Sequence, residues 1–238
     1  MRREIGDRKG TAYSLKYLGN ATEALGAYTT AEQHYQASLA LFKEAGARAS
    51  EGLSLCDLGR LWHHLGDDES ACAYSQQAVR IFQDADDPLF QGEALTHLGH
   101  ALVGLGRLAE ARDAYQQAVD LRRAVGRVDL AMEGVAGLVR VSLAQRDLTQ
   151  AQAQVEEILS YLETDTLDGT DEPCRIYLTC YRVLHANQDP RAQEILTTAY
   201  NLLQARAAKI TDAETRRSYL ENAAAHREIV SEFTNAVR

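Results

Sequence analysis

The sequence predicts an all-α fold, a solenoid of about five helix-turn-helix units closed by a C-terminal capping helix. Three observations carry that expectation. Gly19 and Gly26, Gly59 and Gly66, and Gly99 and Gly106 are pairs of identical internal spacing, each pair 40 residues after the last. Leucine precedes the first glycine of every pair (Leu18, Leu58, Leu98), and alanine follows the second by five (Ala31, Ala71, Ala111). Apolar residues recur at helical spacing on both sides of the second glycine. Leu95, Leu98, Leu102 and Leu105 precede Gly106, and Leu108, Ala111, Tyr115, Ala118 and Leu121 follow it. A period of this size marks a repeat architecture, in which each unit buries its apolar faces against its neighbours.

The elements follow in chain order. Stepping back 40 residues from Phe42-Lys43-Glu44-Ala45-Gly46 lands on Arg2-Arg3-Glu4-Ile5-Gly6, so residues 1–10 read as the end of a truncated preceding repeat. Five units then span 11–46, 47–86, 87–126, 127–171 and 172–209. Each holds a first helix, A, and a second, B, joined at the second glycine, where a left-handed backbone ends a helix without steric cost. Arg146 and Asn187 take that place in the fourth and fifth units. The first glycine lies inside helix A, at about 1 kcal/mol in propensity, and its recurrence predicts that helix B passes too close for a side chain.

Helix starts are signposted by Asp87-Pro88, Glu172-Pro173 and Asp189-Pro190, with proline at the first helical position. Asp67-Asp68 and Asp86-Asp87 are expected to cap backbone amides. On the B helices Leu41, Ile81, Leu121 and Tyr161 form a ladder expected to be interior. The stretch ETDTLDGTDE, 163–172, reads as a solvated, mobile loop, with a docking site for a basic partner as the sharper reading. Residues 210–238 restart at Ile210-Thr211-Asp212 and read as one capping helix, with Tyr219, Ala223, Val230 and Val237 on one face.

Composition narrows the function. A formal net charge of −9 gives no global attraction to nucleic acid or anionic membranes. No apolar run approaches the roughly 18 residues of a membrane span. Cys56, Cys72, Cys174 and Cys180 have no CxxC spacing, which points to reduced thiols and a cytoplasmic location. GxxxxGK[ST], GxSxG, HExxH and DxDxDG are all missing, so neither enzyme activity nor a cofactor is expected. His63 and His64 on one A helix and His97 and His100 on the next could approach zinc together with Cys56. With no carboxylate or thiolate at matching depth, they are expected to be polar groove residues, with no metal.

Leu98, Gly99, Leu102, Gly106, Ala111, Tyr115 and Ala118, with their counterparts Leu58, Gly59, Trp62, Gly66, Ala71 and Ala78, resemble the tetratricopeptide repeat family in a 40-residue variant of its usual period of about 34. The array is similar to those of large bacterial signalling ATPases and transcriptional regulators, to whose tails the stretch YLENAAAHREIV, 219–230, is also similar. The resemblance implies a right-handed superhelix with the A helices lining a concave groove. Carried onto this chain, the family's groove positions give the ladder Asn20, Arg60, His100, Arg140 and Tyr181, with Tyr13, Lys16, His63, His64, Thr96, Tyr177 and His185 around it. Lys16, Arg60 and Arg140 stand in register with Glu23, Glu93 and Glu133, giving a groove of mixed charge. The expected function is a non-enzymatic scaffold for a protein or peptide in that groove, within a larger bacterial polypeptide. The alternative is a small-molecule inducer sensor that relays binding to an effector domain. Tyr13, Leu15 and Leu18, on the N-terminal face of the first unit, are expected to allow pairing with a second copy.

Overall fold

The computed structural model describes residues 2–236, with side chains from residue 8 onward. Every regular element among them is an α-helix, twelve in all: α1 (Arg2–Ala24), α2 (Tyr28–Glu44), α3 (Arg48–His64), α4 (Asp68–Asp84), α5 (Pro88–Gly104), α6 (Leu108–Ala124), α7 (Val128–Ala144), α8 (Leu148–Leu162), α9 (Pro173–Ala186), α10 (Ala192–Ala207), α11 (Ala213–Glu221) and α12 (Ala224–Ala236). The all-α architecture of repeating helix pairs is the one the sequence predicts. Two compact units divide the chain, Met1–Leu121 and Arg122–Arg238.

From α2 to α7 every helix has 17 residues. The links are alike because one hydrogen-bond pattern closes each of them. The last residue of a link donates its amide to the carbonyl five positions back, as Ala47 does to Phe42 at 2.9 Å and Arg107 to Leu102 at 2.8 Å. That pattern satisfies an orphan carbonyl at the helix end and needs a left-handed residue in the middle of the link. Gly26, Gly66 and Gly106 supply it, and so does Arg146 at φ 61°. In the fifth pair the left-handed residue is Gln188 at φ 56°, not Asn187, because α9 runs to Ala186, one residue past the place the repeat gives, and the left-handed residue again comes second in the link. The amide of Asp189 closes the turn onto Leu184 at 2.8 Å, so Asp189 and Pro190 belong to the link and α10 starts only at Ala192.

Caps and packing complete the local account. The Asp67, Asp87, Asp147 and Asp212 side chains accept amides at the starts of α4, α5, α8 and α11. Each N-cap of this kind contributes about 1 kcal/mol. Between the helices of the first unit, Ala31, Tyr35, Leu39, Leu55, Leu58, Leu61, Ile81 and Phe82 form one apolar cluster. Of the B-helix ladder expected to be interior, Ile81 is buried, whereas Leu41, Leu121 and Tyr161 are half-buried; one residue later Phe42, Phe82 and Arg122 are buried.

Three expectations meet a different backbone. The break expected after residue 10 is not there: α1 continues from Arg2 through Gly6 and Gly10 to Ala24, an isolated glycine being tolerated in a helix at modest cost. The side chains of Arg2 to Gly6 lie outside the described residues, as does Val237. Residues 163–172 are not a freely solvated loop. Leu167 and Thr170 are buried, Gly169 lies against the Asp129 carboxylate, and the Asp171 amide donates to Glu133 Oε1 at 2.5 Å, so the segment is docked on α7.

The C-terminal segment is two helices, broken at Asn222 and Ala223. The break is stabilised because side chains of α12 take carbonyls that end α11. His226 Nδ1 donates to Tyr219 O at 2.8 Å, and Arg227 Nη1 donates to Glu221 O at 2.8 Å. α12 is the capping element of the second unit, with Ile229 buried and Phe233 stacked on Tyr200 of α10 at 3.9 Å.

Candidate functional site

The glycine pattern builds the site. A Cβ on Gly99 would come within 2.5 Å of the Tyr115 ring, and one on Gly19 would strike the Tyr35 ring in the same way. At Gly59 the neighbour is the smaller Ser75. Each glycine therefore lets a B-helix residue cross the backbone of helix A, as the repeat predicts. Where that residue is tyrosine, the hydroxyl emerges on the polar face of helix A. Tyr35 OH reaches Asn20 Oδ1 at 2.8 Å and Glu23 Oε2 at 2.6 Å, and Tyr115 OH meets His100 Nδ1 at 2.5 Å.

In the first unit this face carries a network of buried charge. Arg60 Nη2 donates to Glu23 Oε2 at 2.8 Å, to Asp57 Oδ1 at 3.2 Å and to the Tyr35 hydroxyl at 3.2 Å. Lys16 Nζ stands 3.1 Å from Asp57 Oδ2, and His64 Nδ1 stands 3.0 Å from Glu23 Oε1. Burial raises the Glu23 carboxyl, but the Arg60 charge and the hydrogen bonds from His64 and Arg60 outweigh it and hold the group far below the usual range. Burial wins at Asp57, whose carboxyl is pushed up despite Arg60 and Lys16. At Lys16 burial opposes the charge, yet Asp57 prevails and raises it. Next to this network His63 Nδ1 is held by Asp68 Oδ1 at 2.6 Å, and the His63 and His100 rings lie 5.6 Å apart.

The structure thus gathers Lys16, Asn20, Arg60, His63, His64 and His100 into one neighbourhood. Tyr13 belongs elsewhere, its hydroxyl 2.7 Å from Ser50 Oγ and its ring edge-on to Phe42. Thr96 is not on the face. It is 1% exposed and its hydroxyl donates to the Gly92 carbonyl of its own helix.

In the second unit Arg140 and Tyr177 are half-buried on α7 and α9, and His185 is exposed. Tyr181 is buried, stacks on the His185 ring and donates to Glu232 Oε2 of α12 at 2.9 Å. Burial, then Glu232, pushes its phenol up to about 12. Of the charges set in one register, Arg60 pairs with Glu23, Lys16 with Asp57, and Glu133 with Arg122 at 2.8 Å.

Sequence reasoning missed Asp57 and Tyr35. Asp57 replaces Tyr17 and His97 of the neighbouring units, so no periodicity flags it. Tyr35 lies on a B-helix stripe and reads as core. The one signal that could have found it is Gly19, whose missing side chain leaves room for the ring.

The tetratricopeptide repeat family model matches residues 50–124. No curated protein matches the chain in sequence. Among solved structures, the Rap conjugation gene regulator of the plasmid pLS20 in complex with the Phr* peptide is similar at TM-score 0.72 and 14% identity, over 100% of this chain and 70% of that one. A Rap protein complexed with Competence and Sporulation Factor is similar at TM-score 0.63 and 13% identity, over 98% and 64%. Nearly identical TPR-like repeats of kinesin light chain type from Podosopora anserina are similar at TM-score 0.58 and 18% identity, over 83% and 96%. These likenesses show a fold of tetratricopeptide type. Among the described residues no helix is long and apolar enough to cross a membrane.

Proposed function

We propose that this chain, whose residues 50–124 are tetratricopeptide repeats, is a non-catalytic scaffold that holds a peptide or protein segment against the polar face of α1, α3 and α5. The carrying observation is the preorganisation of that face. Arg60, Lys16, His63 and His64 retain 11%, 13%, 17% and 20% side-chain exposure, and carboxylate partners already fix each of them. Side chains held in this way lose little conformational freedom when a ligand docks, which is how a rigid surface gains affinity without large area. The two Rap complexes support the reading, since each was solved with a bound ligand and shares the fold. We place the scaffold in the cytoplasm, as the regulatory segment of a larger bacterial polypeptide.

The test is a random-peptide display selection against the immobilised chain, followed by calorimetry on the enriched peptides. His64→Ala is expected to weaken them at least tenfold, and Leu148→Ala, exposed on α8, to leave them unchanged. Peptides that bind His63→Ala/His64→Ala as tightly as the parent chain would remove the face from consideration. Thermal stabilisation by a metabolite but by no peptide would hand the function to small-molecule sensing.

A further inference from the structure

The repeat register makes each position a control for its equivalents, and three positions of the first unit depart from it together. Asp68 stands where Tyr28, Leu108 and Leu148 begin the other B helices. His63 takes the place of Glu23, Val103 and Leu143, and Gly104 that of Ala24, His64 and Ala144. The structure brings the three into contact. His63 Nδ1 donates to Asp68 Oδ1 at 2.6 Å, and a Cβ on Gly104 would come within 1.7 Å of Asp68 Oδ2. Gly104 lies in the last turn of α5 and has no left-handed backbone to call for a glycine, so its missing side chain serves to seat the carboxylate.

Charge sets Asp68 apart from the rest of the polar face. Asp57 is answered by Lys16 and Glu23 by Arg60, both cations that stay charged from pH 5 to 8. Among the described residues the ion partner of Asp68 is His63 alone, which is charged only when protonated. The Asp68 side chain is 17% exposed, and its Oδ2 makes no hydrogen bond among the described residues.

The groups around His63 decide which imidazole gains a proton first. His64 of α3 and His100 of α5 stand at ring distances of 6.2 and 5.6 Å, so a charge on one opposes a charge on the next. His64 faces Glu23 of α1, which Arg60 already neutralises, with the Tyr28 ring of α2 at 5.8 Å. His100 faces the neutral Tyr115 phenol of α6 and, at 6.1 Å, the ring of His97, whose own carboxylate neighbour is Glu93 at 4.0 Å. Of the three, His63 is the one bonded to a carboxylate that no fixed cation neutralises.

We infer that Asp68 anchors a lysine or arginine side chain of the segment held on this face, and that His63 is the switch that releases it on acidification. The inference rests on the peptide-binding reading and adds the partner's charge to it. With His63 neutral, Asp68 presents a negative charge on a partly buried surface, where a charge-assisted hydrogen bond is roughly twice as strong as a neutral one. Once protonated, in the range where histidine titrates, His63 neutralises Asp68 at contact distance and repels an incoming cation.

The experiment uses the full chain, labelled with 13C in its histidines, and N-acetyl-arginine amide as the probe. NMR titration at pH 7.5 is expected to show a saturable shift of the His63 ring signal, assigned by its loss in His63→Gln. At pH 5.5 the probe should bind about tenfold more weakly, the worth of one charge-assisted hydrogen bond. Asp68→Asn should weaken it to the same extent at pH 7.5, while Asp113→Asn, exposed on α6, should not. His63→Gln, whose amide still donates to Asp68, should bind the probe equally at both pH values, read from the backbone amide of Asp68. Thermal melts check that each variant keeps the parent's fold. No shift of His63 at pH 7.5, equal affinity of the parent chain at the two pH values, or undiminished binding by Asp68→Asn overturns the inference. If the probe fails while displayed peptides bind through His64, the cation anchor falls and the peptide-binding reading stands. If the probe binds and no peptide is enriched, the anchor stands and that reading falls.

Discussion

Two buried ion pairs, Arg60 with Glu23 in the first unit and Arg122 with Glu133 in the second, have the same 2.8 Å separation and opposite proton affinities. Burial raises both carboxyls. At Glu23 the Arg60 charge is joined by hydrogen bonds from His64 and Arg60, and the group ends far below the ordinary value of 4.5. Burial prevails at Glu133, where Arg122 and the Asp171 amide are set against the nearby Asp171 carboxylate, and the group ends above 4.5. Distance alone does not describe a buried ion pair. The number of donors that replace lost water decides whether the charged form is favoured.

The largest effect should come from breaking the second pair. Glu133→Leu leaves Arg122, 2% exposed, without its carboxylate and releases the Asp171 amide, so a loss of about 3–5 kcal/mol is expected in denaturant unfolding. Arg122→Met/Glu133→Leu should recover most of that loss. A single variant costing under about 1 kcal/mol would mean that the pair does not secure the docked loop.

The first pair is best tested by pH. A depressed carboxyl contributes stability that is fully present above its unfolded value near 4.5 and is lost as pH falls below it. A raised carboxyl acts with the opposite sign, and stability declines as pH rises from 4.5 through its folded value, which is the case for Glu133 and, from 3.8, for Asp57. Glu23→Gln should therefore flatten the acid limb of a stability-against-pH curve. The measurement is urea unfolding at a series of pH values, and an unchanged acid limb would show that Glu23 is not the group responsible.

The next contrast is between glycines. Gly99→Ala forces a methyl onto the Tyr115 ring and should cost about 1–3 kcal/mol, while Gly10→Ala, with nothing within 4 Å of the new methyl, should stabilise α1 by about 0.5–1 kcal/mol. Equal effects at the two positions in thermal melts would dismiss the close-approach account. The smallest change expected is Asp67→Ala, about 1 kcal/mol or less from the lost cap on Ser70, readable in the same melts.

From α2 to α7 the chain was legible because each instruction is local and repeated. The left-handed link residue, the aspartate cap and the apolar stripe act within a few residues, and 40-residue recurrence separates them from chance. Arg146 shows how firm that frame is, since it takes a left-handed conformation that its own side chain disfavours. Beyond α8 the instructions are side-chain contacts to backbone that no recurrence marks. Glu133 fixes the loop at Asp171, and His226 and Arg227 divide one expected helix into two by taking the carbonyls of Tyr219 and Glu221. Of the site, Lys16, Asn20, Arg60 and the histidines could be assigned by register. Thr96 was misplaced because a position number does not say that a hydroxyl will turn back onto its own helix.

The sequence by itself determined the helix pairs, their links and the close passage at Gly19, Gly59 and Gly99, because backbone propensity and periodic burial are written residue by residue. Only the tertiary structure decided that Tyr35 crosses Gly19 to meet Arg60 and that Asp57 holds Lys16. Those outcomes depend on which side chains from separate helices replace one another's water, and no single segment encodes that.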